Sequence, residues 1–314
     1  MTIAWVVGRG GMLGSSIERV LGLTGCTMYV PNRRFDWTSA TQLQADFEHA
    51  LDGFANAAAA SDRWEIWWAA GVGTLSSPAE ALQTETQALA ALLLGIERSS
   101  LRPPTGRIAL ASSAGAIYAG SEDRVITERS GQSPTTPYAR AKLEQESLVM
   151  DHGSKLGSGV FVARLSTLYG VGQAKMKQQG LLTHISRCVI RNLPIQIFVP
   201  LDTIRDYVAA DDAAAMMVDA MTLVAARQSV MKIIASEQPT TISEIVSIFK
   251  RIARRPPRIV TSASRSSSLY KRRIQFRSVV SPLRTSAPTN LMIGISRILE
   301  SERLRYVVGE RKEW

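Results

Sequence analysis

Five strand-type residues, Ile3-Ala4-Trp5-Val6-Val7, run straight into a turn that carries Gly8, Gly11 and Gly14, three apart. Apolar residues then recur at Leu13, Ile17, Val20 and Leu21, which is helical spacing. A strand that turns directly into a helix leaves backbone N–H groups aimed at whatever lies over the turn. Together with the helix dipole they make an anion site suited to a pyrophosphate. Glycine is required where φ is unusual or where a Cβ would block the anion. In this turn Gly8, Arg9, Gly11, Met12, Leu13 and Gly14 are therefore candidate phosphate- and cofactor-binding residues.

The same alternation continues down the chain. Short apolar runs at 3–7, 26–30, 64–70, 107–112, 159–165 and 231–235 read as strands. Longer helical patterns lie near 12–22, 38–59, 79–98 and 137–155. This predicts an α/β protein built on a Rossmann-type doubly wound parallel sheet, with its ligand at the C-terminal edge of the strands. The pattern loosens after residue 168. The expected organisation is a dinucleotide-binding domain over 1–167, to which 202–236 returns, and a smaller, mainly substrate-binding C-terminal lobe over 168–314. A helix from Thr241 to Ala253 is opened by a threonine or serine cap before Glu244. Pro256 to Ser268, rich in Pro, Ser and Arg, reads as a loop.

The second motif is chemical. Tyr138 and Lys142 are four apart, one turn apart on one helix face, and Pro137 suits a first helical turn. A free phenol, with a pKa of roughly 10, exchanges protons poorly at neutral pH. A neighbouring ammonium and a bound nicotinamide cation can lower it. An ordinary solvated pair is the alternative, and the serine pair Ser112-Ser113 at a strand end, together with the glycine turn, weighs against it.

With these residues in place the chain resembles the extended short-chain dehydrogenase/reductase family, which includes NAD(P)-dependent nucleotide-sugar epimerases, dehydratases and 4-ketoreductases. The glycine turn is similar to that family's cofactor loop. Ala69-Ala70-Gly71 resembles its cofactor-lining strand end, and Ser112 to Tyr118 its catalytic serine strand. Thr127-Glu128, Pro134 and Pro137-Tyr138 resemble the approach to its catalytic helix. Arg164 to Gly170 and Arg205-Asp206-Tyr207-Val208 resemble substrate-side segments. The resemblance implies Ser113, Tyr138 and Lys142 as catalytic residues, and Ser112, Thr167 and Arg205 as substrate contacts. It also implies a homodimer. Leu89, Leu92, Leu93 and Ile96 with Leu143, Leu148 and Val149 can pack either a core or a dimer seam.

There are departures from the family pattern. The hydroxyl residue usually sits four before the strand-end tyrosine, here Tyr118, and that position is Ala114. Ser113 is the expected replacement, with a small irregularity at Gly115 bringing it to the substrate; Ser112 is second, and a backbone N–H in place of the hydroxyl is the remaining alternative. The family's asparagine in the segment Arg164–Tyr169 is Thr167, and Thr84-Glu85-Thr86 offers none at the start of the fourth helix.

Cofactor choice turns on the second strand's end. The position that carries an acid in NAD-binding turns is Asn32, followed by Arg33 and Arg34. Guanidinium groups bind a 2′-phosphate that an acid would repel, and Arg9 adds a second positive group. NADP is the expected cofactor. The NAD alternative has Asp36 on the ribose and the two arginines in solvated loop.

The expected activity is reduction of a 4-keto group on a nucleotide-linked sugar. An epimerase with the same apparatus is the rival. A dehydratase is disfavoured because Ala114, Gly115 and Ala116 stand where such enzymes place an acidic pair. A non-catalytic NADP-sensing or nucleic-acid-binding protein of the same fold is the alternative of another class, and the tuned phenol argues against it.

Net charge is +10, concentrated in Lys250-Arg251, Arg254-Arg255, Arg258, Arg265, Lys271-Arg272-Arg273 and Arg277. With only Tyr270 and Phe276 interleaved, base stacking is not suggested, and nucleic acid ranks behind solvated surface and sugar-nucleotide phosphates. Cys26 and Cys188 have no metal or disulfide spacing, and His49, His152 and His184 are scattered, so no metal is expected. No run of 18 apolar residues and no basic leader are present, which predicts no membrane span and a cytoplasmic protein.

Overall fold

The computed structural model describes residues 1–172, 180–253, 257–261, 272–283 and 287–310. Six parallel strands make the main sheet: β1 (Thr2–Val7), β2 (Thr27–Tyr29), β3 (Arg63–Trp68), β4 (Gly106–Ser113), β5 (Gly159–Leu165) and β9 (Ser229–Ile234). Their order is β2-β1-β3-β4-β5-β9. These are the six apolar runs of the sequence. The order reverses direction between β1 and β3, which opens a crevice at their C-terminal ends.

Alternation along β1 shows how both faces are covered. Ile3, Trp5 and Val7 pack with α2 (Ala40–Ala58), α3 (Ala79–Arg98) and α5 (Pro137–Leu156) through Phe47, Leu51, Leu89, Leu92 and Val149. Ala4 and Val6 face the other way, onto α1 (Met12–Leu23) and α7 (Ala210–Thr222) through Leu13, Ile17, Met217 and Met221. A strand buried on both sides is what a parallel sheet requires. Leu89, Leu92, Leu93, Ile96 and Val149 are buried in the first of these cores, with Leu148 against it, so of the two roles expected for this set they fill the core one.

The C-terminal half gathers round a second core. A small sheet, β10-β8-β6, joins Pro239–Thr241, Ile204–Ala209 and Thr167–Tyr169. It packs with α6 (Leu181–Ile190), α8 (Ile242–Ile252) and α9 (Leu291–Glu310) through Tyr169, Ile185, Tyr207, Phe249 and Ile295. Within 202–236, β9 pairs with β5 in the main sheet and α7 packs on that sheet, while β8 belongs to the small sheet. The capping box that starts α8 is present: Thr241 Oγ1 accepts from the Glu244 N–H, and the Glu244 carboxylate accepts from the Thr241 N–H.

The stretch read as loop over Pro256–Ser268 is not loop throughout. The β-branched run Ile259–Thr261 forms β11, paired in parallel with β7 (Ile195–Ile197). Of the basic cluster, Arg254, Arg255, Arg265 and Lys271 lie outside the described residues, and Arg272 is paired with Asp202. No helix among the described residues is long and apolar enough to cross a membrane.

Candidate active site

The loops that follow β1, β3, β4 and β5 line one large cleft of about 1140 Å³. That exceeds the roughly 300–1,000 Å³ of a drug-sized site and leaves room for two ligands side by side. Its wall carries Gly10, Gly11, Met12 and Leu13 from the glycine turn, Ala69 to Gly71 after β3, Ser113, Tyr138 and Lys142, and Thr167 and Arg205 from the small sheet.

The turn after β1 fits a dinucleotide. Gly8 has φ +93°, and a Cβ there would sit 2.6 Å from the Ala70 nitrogen. A Cβ on Gly14 would lie 2.2 Å from the Gly8 carbonyl. These two glycines let strand, turn and helix close up. The N-cap of α1 is Gly11, with no side chain capping the helix and no acid in its first turn. The first-turn N–H groups are thus left for an anionic ligand.

Arg9 lies at the same turn, with its guanidinium donating to Glu18 at 2.7 Å. On the loop after β2, Asn32, Arg33 and Arg34 are exposed. The Asn32 side-chain carbonyl is 3.2 Å from His49 Nε2. The Asp36 carboxylate accepts from the Thr38 N–H and hydroxyl and is held below the usual carboxylate range by those bonds. It takes part in forming the turn ahead of α2.

Strand alternation separates the two serines. The Ser112 hydroxyl is buried and donates to Glu146 Oε1 at 2.6 Å. Ser113 faces the opposite way and lines the cleft with Tyr138, near enough for its hydroxyl to favour the ionised phenol. Ser112, expected as a substrate contact, lines the cleft but spends its hydroxyl on a buried carboxylate. The expected irregularity at Gly115 is also absent. β4 ends at Ser113 and the chain enters a short helix, α4 (Ala114–Ile117), which contains Gly115. Ser113→Ala is expected to cost on the order of 3 kcal/mol in the transition state, about 10²-fold in turnover. Ser112→Ala is expected to spare turnover and lower fold stability by about 1–3 kcal/mol, by leaving a buried acceptor short of a donor. Turnover and urea unfolding of both variants check this, and a large turnover loss in Ser112→Ala would reverse the assignment.

Helix α5 holds the other two groups. Thr136 caps it by accepting from the Ala139 N–H, and Pro137 occupies its first turn. The Lys142 ammonium lies 5.8 Å from the Tyr138 ring centroid and donates to Gln145 Oε1 at 2.9 Å. Burial pushes the Tyr138 phenol up to about 12, the Glu85 carboxylate adds to this, and the Ser113 hydroxyl opposes it.

Three sets of contacts at the site were not read from the sequence. Arg164 makes a two-pronged ion pair with Glu146 at 2.6 and 3.0 Å, both side chains about 1% exposed, and also donates to the Tyr118 hydroxyl. The signal was available: an arginine inside an apolar strand needs a partner, and Glu146 shares a helix face with Lys142. Next, a strap over 273–280 brings Ile274 and Phe276 to the cleft wall. It is tied down by Glu128, which accepts from the Ser278 hydroxyl and the Ile233 and Val279 N–H groups. Finally, Glu85 reaches into the cleft and accepts from the N–H groups of Val72 and Gly73.

With this geometry in view, the comparisons with known proteins decide the family. The model of the NAD dependent epimerase/dehydratase family matches residues 4–233. The chain belongs to that family. Its fold is shared with RMD from Pseudomonas aeruginosa, solved in complex with NADPH: TM-score 0.79 and 20% identity, over 97% of this chain and 100% of that one. It is likewise similar to the Thermus thermophilus UDP-glucose 4-epimerase, solved with NAD: TM-score 0.75 and 18% identity, over 96% of this chain and 99% of the other. Among curated sequences it is similar to an Escherichia coli dTDP-4-dehydro-6-deoxyglucose reductase, 27% identical over 106 residues. That match spans 34% of this chain and only a third of the length of the relative, 33%.

Proposed function

We propose that this family member is an NADP-dependent reductase of a 4-keto group on a nucleotide-linked sugar. The observation that carries the reading is the cluster of Ser113, Tyr138 and Lys142 at one wall of the cleft, beside the glycine turn. When bound, the reduced cofactor supplies a hydride. Tyr138 gives its proton to the carbonyl oxygen. Ser113 donates a hydrogen bond to the same oxygen and orients it. Lys142 stabilises the phenolate and holds the ribose hydroxyls. Gly11, Met12 and Leu13 offer backbone N–H groups to the pyrophosphate, and Ala69, Ala70 and Gly71 line the way to the reacting end. On the substrate side Thr167 and Arg205 contact the sugar nucleotide.

Reduction is favoured over dehydration by the small residues Ala114, Gly115 and Ala116 where an acid pair is needed. Of the carboxylates that line the cleft, Glu85 is engaged by two backbone N–H groups and Asp206 by Ser166 and Ser236. Reduction is favoured over epimerisation by Arg33 and Arg34, exposed where an acid would select NAD, and by the reductase named among the relatives. The nucleotide that co-purifies with the protein tests the choice. Exchangeable NADPH fits a reductase, and firmly held NAD would point to an epimerase.

NADPH is expected to bind at least about tenfold more tightly than NADH, about 1.4 kcal/mol. The preference is expected to vanish in the Arg33→Ala, Arg34→Ala double variant, because the 2′-phosphate loses its guanidinium partners. Fluorescence titration of both nucleotides checks this. Equal affinities in the parent would remove both arginines from cofactor choice.

A further inference from the structure

The Glu85 carboxylate is not needed for the chemistry set out above, yet it projects into the cleft that holds Tyr138 and Lys142. It stands in the N-terminal half of α3, where the sequence departs from the family by lacking an asparagine. The structure shows what it does to the backbone. One oxygen, Oε1, accepts from both Val72 and Gly73 N–H. Gly71 has φ +152°, and a Cβ there would lie 3.3 Å from Oε2. A Cβ on Gly73 would lie 3.1 Å from both carboxylate oxygens. The segment Gly71-Val72-Gly73 thus wraps the carboxylate, and two glycines make that wrap possible.

The location is specific to one end of the cleft. Ala69-Ala70-Gly71 continues β3 beside the glycine turn, and Glu85 carries this wall toward Tyr138, whose phenol responds to its charge. On the reading of the preceding section, the nicotinamide must reach Tyr138 for hydride and proton to meet at one carbonyl. The fixed negative charge therefore lies at the nicotinamide end and not at the adenine end. The charged groups noted around the phenol are Glu85 from α3 and Lys142 from α5.

We propose that Glu85, clamped by the 71–73 backbone, favours the oxidised, cationic nicotinamide over the neutral reduced one and so biases the bound couple toward giving up hydride. The proposal rests on the reductase reading and adds a direction to it. Reduction moves two electrons and a hydrogen from the nicotinamide to the carbonyl carbon, and a proton from Tyr138 to the oxygen. The nicotinamide ring gains one positive charge, which an adjacent carboxylate stabilises. The same carboxylate disfavours the phenolate, so Tyr138 is reprotonated from solvent and is kept as a proton donor for the next turn.

The test needs no sugar substrate. NADP⁺ and NADPH carry the same phosphates, so the ratio of their dissociation constants isolates the charge on the ring. Glu85→Gln keeps an oxygen acceptor for both N–H groups and removes the charge. It is expected to raise Kd(NADP⁺)/Kd(NADPH) about tenfold. Glu85→Ala, which loses clamp and charge together, is expected to raise the ratio equally and to weaken both forms. Glu85→Asp keeps the charge and is expected to keep the ratio within about twofold, which provides a folded comparison if a neutral variant is unstable. An unchanged ratio in Glu85→Gln, or a tenfold rise in Glu85→Asp, overturns the proposal while leaving the reductase reading intact. Failure of the parent to bind either nucleotide overturns both.

Discussion

Tyr138→Phe is expected to lower turnover about 10³-fold while leaving NADPH affinity within about twofold. The ring stays and only the proton donor is lost, so the cleft wall is unchanged for the cofactor. The structure adds a reason for a large effect. Burial and the Glu85 carboxylate push the phenol up to about 12, which favours the protonated donor. A water molecule in its place would have to be ordered between Ser113 and the carbonyl, in a wall built for a ring. The phenol must be protonated for reduction, so kcat/KM of the parent is expected to fall on the alkaline side only. Lys142→Ala is expected to damage turnover and cofactor affinity together, since the ammonium has two partners in the mechanism. Isothermal titration and steady-state assays separate these outcomes. A Phe variant with a tenth or more of parental turnover would remove Tyr138 from proton transfer.

The largest stability effect is expected away from the cleft wall. Arg164→Ala should destabilise the fold by about 3–5 kcal/mol, because it strands the Glu146 carboxylate inside the protein. Both partners are about 1% exposed and bonded through two oxygens. The same carboxylate holds Ser112, and the same guanidinium holds Tyr118. The network thus ties β4 and β5 to α5, directly behind Ser113 and Tyr138. The double variant Arg164→Met, Glu146→Leu should recover most of the loss, since no buried charge is left unpaired. Urea unfolding of the single and double variants measures both. A single-variant loss under about 1 kcal/mol would mean that the pair is not the tie described here.

Much of the fold was legible because its signals are local. The six strands of the main sheet announce themselves as apolar runs, and the Thr241–Glu244 box announces a helix start. The small sheet and β11 were not legible. Three-residue strands such as Ile259–Thr261 carry too little periodicity and are set by their partners, here Ile195–Ile197. At the site, the glycine turn and the Tyr138/Lys142 pair could be read from spacing. The split between Ser112 and Ser113 could be read in principle from alternation, but which serine faces the cleft depends on Glu146, 34 residues on from Ser112. Glu85 drew notice only as a missing asparagine. Its grip on Val72 and Gly73 is a tertiary fact. The same holds for Phe276, carried to the cleft by a strap that Glu128 anchors from the far side of the sequence.

On the reductase reading a sugar ketone receives hydride from NADPH and a proton from Tyr138, with Ser113 and Lys142 orienting and stabilising the reacting groups and with net oxidation of NADPH. The most direct measurement supplies nicotinamide-deuterated NADPH, one face at a time, with a nucleotide-linked 4-keto sugar, and follows both products by mass and NMR. The expected result is one NADP⁺ per sugar reduced, one deuterium at the carbinol carbon from a single face of the cofactor, and loss of turnover in Tyr138→Phe. Interconversion of 4-hydroxy epimers with no net change in the nicotinamide, and no deuterium in the released sugar, would contradict it.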